Sequence, residues 1–207
     1  MTESQNAPPV ANRIAVLILQ HPQEQDRDLG TARLTASRLA KAVFKVGLSW
    51  PSLTKALGRE ADPRRWATLY LGSAKASELA PDREVVALDG KGKLLPDQAA
   101  ALKGIEGIIL LDGTWSQAKT LWWRNAWLLK SRRVILGPGR PSRYGKLRRE
   151  PRRDALSTIE AAGMLLSRLE GKPEIEKELV SSFEELLANY KERKAAGTLE
   201  PKETKPA

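Results

Sequence analysis

The run Ile108-Ile109-Leu110-Leu111-Asp112-Gly113-Thr114-Trp115 constrains the fold of this chain more than any other segment. Four apolar residues in a row predict a buried strand. Asp112 falls where that strand should end, and Gly113 permits a sharp turn after it. Thr114, with Gln117 three residues on, has capping-box spacing and predicts the start of a helix. Strand, acidic turn and helix start in succession belong to an α/β sheet, where ligands collect at the carboxyl ends of strands. Asp112 is therefore a candidate catalytic carboxylate; the simpler alternative is a helix cap and nothing more.

The same alternation runs through the rest of the chain. Residues 14–19 predict a buried strand, ended by His21-Pro22. Residues 31–46 predict an amphipathic helix, with Ala32, Leu39, Val43 and Val46 at helical spacing and Arg33, Arg38, Lys41 and Lys45 as its cations. Short strands are expected at 67–71, closed by Gly72-Ser73, at 85–88 and at 134–136. Helices are expected from 115 to about 129, over 157–169 and over 174–194. The order predicts an α/β fold with a mainly parallel sheet and flanking helices. Residues 12–196 are expected to form one domain, with disordered tails at 1–11 and 197–207, both polar and Pro-containing.

Composition narrows the function classes. At 207 residues with 41% hydrophobic content, the chain can bury a sizeable core. No apolar run approaches the roughly 18 residues of a membrane span, and no signal-peptide pattern opens the sequence, so a cytoplasmic protein is expected. Cysteine is absent and His21 is the single histidine, so no protein-held metal is expected.

The net charge of +10 is concentrated. Residues 132–153 hold Arg132, Arg133, Arg140, Arg143, Lys146, Arg148, Arg149, Arg152 and Arg153 against Glu150 alone. The preference for arginine favours planar, bidentate phosphate contacts. Such a cluster is the electrostatic footprint of a nucleic-acid partner, with Tyr144 inside it as a candidate stacking surface; the alternative is a solvated basic loop.

Two further segments carry candidate chemistry. Ser157 and Glu160 have capping-box spacing, and a helix start offers free N–H groups to small polar or anionic ligand parts. His21 and Arg27 follow the first strand. His21 is a candidate substrate contact or a loop group satisfying a carbonyl, and Arg27 either grips an anion or pairs with Glu24 or Asp26. Four of the six tryptophans lie close together. On a continuous helix Trp115, Ala118, Trp122, Ala126 and Leu129 share a face, and Trp123 with Trp127 form a neighbouring stripe. Core packing is expected for most of them; an exposed Trp123 or Trp127 would suit base stacking.

These residues resemble those of a known family. Asp112-Gly113-Thr114-Trp115 is similar to the D-x-T-W signature of the DTW-domain proteins. His21-Pro22 with Glu24, Arg27 and Thr31 resembles their H-P-x-E-x-x-R-x-x-N-T segment, with Gly30 where the family has Asn. Residues 156–161, Leu-Ser-Thr-Ile-Glu-Ala, resemble their L-S-T-x-E-A motif. The resemblance implies a tRNA-uridine aminocarboxypropyltransferase that moves the 3-amino-3-carboxypropyl group of S-adenosylmethionine to uridine N3, leaving 5′-methylthioadenosine. It also implies a fold related to the SPOUT methyltransferases with a knotted cofactor site, a rare topology. Leu71, Gly72, Leu111, Gly113, Thr114, Trp115, Ser157, Thr158, Glu160 and Ala161 would then line the cofactor site, with Asp112 as general base or orienting group. His21, Arg27, Arg33, Arg143, Arg148, Arg149, Arg152 and Arg153 would meet the tRNA. A monomer is expected. The N-terminal cysteine cluster of many relatives is missing. Two other classes stay open: a methyltransferase, which would release S-adenosylhomocysteine, and a non-catalytic RNA-binding protein, which would bind no cofactor.

Overall fold

In a computed structural model, the structure describes residues 8–25, 27–72, 74, 76–79, 85–137, 142–145, 147 and 156–198. Strand β1 (Ala15–Gln20) leads through helix α1 (Ala32–Arg38) to β2 (Ala42–Val46). Helix α2 (Leu53–Leu57) precedes β3 (Trp66–Leu69), and α3 (Ala76–Leu79) precedes β4 (Val85–Leu88). Helix α4 (Gln98–Leu102) leads to β5 (Gly107–Asp112), followed by α5 (Trp115–Arg124) and β6 (Arg132–Leu136). Helices α6 (Thr158–Glu170) and α7 (Pro173–Ala195) complete the described chain.

Among the described residues six strands form one sheet in the order β2-β1-β5-β3-β6-β4. Every pairing is parallel except that of β4 with β6. Alternation along the strands builds two cores. Val16, Ile18, Ile108 and Leu110 face α1, α6 and α7, while Leu17, Leu19 and Ile109 face Leu53, Leu57, Trp122, Trp127 and Leu128. Burial on both faces explains why β1 and β5 are continuous apolar runs.

The expectation for residues 31–46 fails. The helix predicted over residues 31–46 is a short helix, a turn and a strand. Leu39 leaves helical geometry at φ −114° and ψ 132°. Val10 pins the turn, donating from its N–H to the Arg38 carbonyl and accepting from the Ala40 N–H, and the Asn12 side chain accepts from the Lys41 N–H at 3.0 Å. Val43, Phe44 and Val46 suit a pleated surface. Apolar spacing alone did not separate these two outcomes. Arg38 is thereby buried, its Nε donating to Ser182 Oγ at 2.9 Å, and does not share an exposed cationic stripe with Arg33, Lys41 and Lys45.

Helix α5 also stops short of residue 129. Asn125, fully buried, takes φ −119° and ψ 73°. Its side-chain amide donates to the Leu121 and Leu48 carbonyls, and its oxygen accepts from the Trp50 N–H at 2.8 Å. The chain continues as a 3-10 turn that buries Trp127 and Leu128. Among the described residues no helix is long and apolar enough to cross a membrane.

Candidate active site

The sheet order creates a switch point between β1 and β5. The chain leaves β1 towards β2, and leaves β5 in the opposite direction towards β6. Crevices at such points, beyond the carboxyl ends of the strands, are where open α/β sheets bind ligands. Asp112 ends β5 at this point, directly opposite Gln20 in register. Register partners project to the same face, so their side chains meet: Gln20 Nε2 donates to Asp112 Oδ2 at 2.9 Å. The Thr158 hydroxyl donates to Asp112 Oδ1. The His21 N–H donates to the Asp112 carbonyl at 3.0 Å, extending the pairing by one residue. Asp112 is half-buried, and each carboxylate oxygen retains a lone-pair direction for a substrate proton.

Asp112 is thus the end of a strand and not the cap of α5. Thr114 is the cap: its Oγ accepts from the Gln117 N–H, and Gln117 Oε1 accepts from the Thr114 N–H at 2.6 Å. Gly113 is required by close approach, since a Cβ there would lie 2.8 Å from Gln117 Cβ.

A second capping box places Thr158. Ser157 caps α6, and Glu160 answers it. The Glu160 carboxylate is only 3% exposed and accepts from Ser142 Oγ at 2.6 Å, Arg143 N at 2.9 Å, Ser157 N at 3.0 Å and Ser157 Oγ at 2.6 Å. Burial pushes this carboxyl up, but the hydrogen bonds from the Ser142 and Ser157 hydroxyls and from the Arg143 and Ser157 amides outweigh it and hold it below the usual carboxylate range. Glu160 therefore ties residues 142–143 to the start of α6, and so fixes the turn that presents Thr158 to Asp112. Ala161 is buried in the same turn.

Across β5, the segment after β3 is braced by Arg133. Its Nε donates to the Tyr70 carbonyl at 2.9 Å, and its Nη2 donates to the Leu71 carbonyl. Gly72, at φ +55°, lets the guanidinium pass where a Cβ would stand 2.5 Å from Nη2. Tyr70 stacks on Trp122 at 4.4 Å between ring centroids, with Trp115 beyond it at 6.4 Å. Trp122 is buried, while Trp115 and Trp123 are 42% and 67% exposed.

The expected substrate contacts divide. His21 caps a 3-10 turn through Nδ1. Arg27 pairs with the buried carboxylate of Glu24 at 2.8 Å, one of its two structural alternatives. Arg33 is exposed over the Phe44 ring, 4.9 Å from its centroid. Arg143 bridges Glu184 and Glu160 at 3.1 and 3.6 Å. Arg132 donates to the carbonyls of Ala101 and Lys103. The basic cluster is thus partly internal bracing. Its members Arg140, Lys146, Arg148, Arg149, Arg152 and Arg153 lie outside the described residues. Tyr144 is no stacking surface: it is 2% exposed, its hydroxyl donates to the Leu29 carbonyl, and its ring meets Phe183 edge-on. Gln20 was missed by sequence reasoning; its signal was a polar residue closing one buried strand as Asp112 closes another.

A half-buried carboxylate at a switch point, fixed by a strand neighbour and a helix start, is the arrangement built by the D-x-T-W and L-S-T-x-E-A segments together. The chain matches the DTW domain family over residues 3–191 and belongs to that family. It is 34% identical over 175 residues to tRNA-uridine aminocarboxypropyltransferase 2 of Drosophila melanogaster, covering 84% of this chain and 63% of the relative. It is 31% identical to proteins of the same name from Macaca fascicularis and Mus musculus, covering 82% of this chain and 52% of each. The chain therefore spans about half to two-thirds of the length of these relatives. No solved structure matches it.

Proposed function

We propose that this protein transfers the 3-amino-3-carboxypropyl group of S-adenosylmethionine to N3 of a uridine in tRNA and releases 5′-methylthioadenosine. The observation that carries the reading is the carboxylate of Asp112, held by Gln20 and Thr158 at the mouth of the switch point, in a chain of the DTW family. The names of the similar relatives support the substrate class.

Uridine N3 is a poor nucleophile until it loses its proton, and on this reading Asp112 accepts it. The sulfonium of the co-substrate supplies an activated carbon and a neutral thioether leaving group, so the N3–C bond forms as the C–S bond breaks. What the chain must supply is position. The γ-carbon of the arm, not the methyl group, must face N3 at near-attack distance. Gln20 and Thr158 hold the carboxylate in one orientation. The residues at this edge suit a nucleoside with an amino-acid tail: Trp115 offers an exposed ring, and Thr114, Thr158 and the strand-end segments at Leu71–Gly72 and Leu111–Gly113 offer polar and backbone groups. Arg148, Arg149, Arg152 and Arg153 would hold tRNA phosphates, and the target base leaves its stack to reach the site. A fold related to the SPOUT methyltransferases, with a knotted cofactor site, belongs to the same reading, and a crystal structure with the co-substrate bound checks it.

The test is incubation with unmodified tRNA and S-adenosylmethionine, followed by mass spectrometry of nucleosides and small products. Aminocarboxypropyluridine and methylthioadenosine should appear in equal amounts. Methyluridine with S-adenosylhomocysteine would make the protein a methyltransferase.

A further inference from the structure

The outer face of α5 carries more exposed aromatic surface than the fold needs. Trp115, Lys119 and Trp123 are exposed and spaced four residues apart, so they follow one another along one side of the helix. The two indoles are separated by about 12 Å along the axis. Trp123, at 67% exposure, is more open than any other described tryptophan, while Trp122, its neighbour in sequence, is buried against Tyr70. Core packing therefore explains Trp122 and leaves Trp123 without a structural role. Arg124, the next residue, is exposed as well. From Gly113 to Arg149 the sequence contains no aspartate or glutamate. The face combines π-surfaces with positive charge and opposes them with no carboxylate of its own segment.

We propose that this face of α5 is a docking platform for a single-stranded RNA segment, with an unpaired base stacked on Trp123 and neighbouring phosphates met by Lys119 and Arg124. Aromatic platforms between cations are how proteins hold single-stranded nucleic acid without reading its sequence. A duplex offers no free base face. The platform is continuous with the candidate active site, because Thr114, two residues beyond Asp112, caps α5 and Trp115 is its first residue. The bound segment is the single-stranded stretch next to the target uridine, its nucleotides running along α5 while the uridine enters at Asp112. This inference rests on the proposed tRNA substrate and adds to it the route by which that stretch approaches.

The experiment compares the full chain with its Trp123→Ala and Trp123→Phe variants. Dissociation constants are measured at fixed ionic strength for an unmodified tRNA transcript, a uridine-rich single-stranded decamer and an RNA duplex. Loss of one stacking contact should weaken tRNA and the decamer about 10-fold and leave the duplex within about twofold, with Trp123→Phe close to wild type. Ultraviolet crosslinking of the decamer to the wild-type chain should map to residues 115–124. A folded Trp123→Ala variant with wild-type affinity, an equal loss on the duplex, or a shift from dimer to monomer at unchanged RNA affinity would overturn the platform. If the wild-type protein forms the modified uridine while Trp123→Ala binds normally, the platform alone fails. If the wild-type protein binds no tRNA, the proposed substrate fails with it.

Discussion

The two sides of the sheet solve different problems at the same edge. On the α6 side, Gln20 and Thr158 donate to Asp112, Glu160 accepts from Ser157 at the start of the same helix, and Gln20 and Glu160 are buried. On the α5 side, Trp115, Lys119 and Trp123 are exposed, Trp115 with Tyr70 on one side of its ring. The first arrangement fixes atoms in place, which is what proton transfer and alkylation at a chosen carbon require. The second offers area and charge, which suit a flexible polyanion. The two meet at Gly113-Thr114, where one strand end turns into one helix start. A substitution on the α6 side should therefore change turnover or stability, and one on the α5 side should change RNA affinity.

The largest effect is expected at Asp112. Asp112→Asn removes the proposed proton acceptor while keeping the shape, and should slow transfer by on the order of 10² to 10⁴. Circular dichroism should show the fold retained. Wild-type turnover in a folded variant would reduce Asp112 to a structural role and erase the contrast between the two sides.

Glu160→Gln tests whether the α6 side is an ordered unit. Its buried carboxylate accepts bonds from four donors, and Gln can satisfy only part of them, so a loss of about 1–3 kcal/mol is expected. The pH dependence carries the sign. Because the folded carboxyl lies below its usual range, Glu160 stabilises the fold fully above about pH 4.3, and the contribution fades as pH falls through the depressed value. Thermal melts of wild type and variant should therefore differ at neutral pH and converge in acid.

Much of this geometry was legible in the chain. Unbroken apolar runs announced β1 and β5, and two capping boxes announced α5 and α6 to within a residue. Residues 31–46 were misread because a short helix followed by a strand leaves apolar residues at spacings that a longer helix also produces; the Asn12 and Val10 contacts that decide the matter are distant in sequence from most of it. The tryptophan stripes were misread past residue 124 because Asn125 breaks the helix through bonds to residues 48 and 50. Asp112 was legible because strand-end carboxylates are local features. Gln20 was not, because its partner lies 92 residues away and depends on β5 pairing with β1 in one register. The cations of residues 132–153 looked like one patch, but a count of charges does not show that Arg132, Arg133 and Arg143 turn inward to carbonyls and carboxylates.

Smaller effects separate positioning from chemistry. Gln20→Leu or Thr158→Val removes one of the two donors that orient Asp112, with little change of volume. Turnover should fall about 10-fold, since one net hydrogen bond is worth roughly 0.5–1.5 kcal/mol and more when the acceptor is charged. The KM for tRNA should hold, because neither residue lies on the α5 face, and Thr158→Ser should restore most of the rate. A rise in the tRNA KM at constant kcat would move these residues out of the catalytic side.

The smallest expected effect lies with the cations of α5. Lys119→Ala and Arg124→Ala each remove one exposed charge, and each phosphate contact to a single strand contributes about 0.7 to the slope of log affinity against log salt. The double variant should flatten that slope by roughly 1.4 and weaken RNA binding a few-fold near physiological salt. Arg124→Ala alone should leave the KM for S-adenosylmethionine unchanged. Arg124 lies about 15 Å along the helix from Thr114, beyond the roughly 8–10 Å over which exposed charges act at such ionic strength. Lys119 lies nearer, about 7.5 Å along the same axis, so its single variant is the sharper control. If Lys119→Ala alone raised the KM for S-adenosylmethionine, the boundary between the two sides would have to be redrawn one helical turn further along α5. If neither charge altered the salt slope, the phosphates would be held elsewhere, and the arginines at 148, 149, 152 and 153 would be the next to replace.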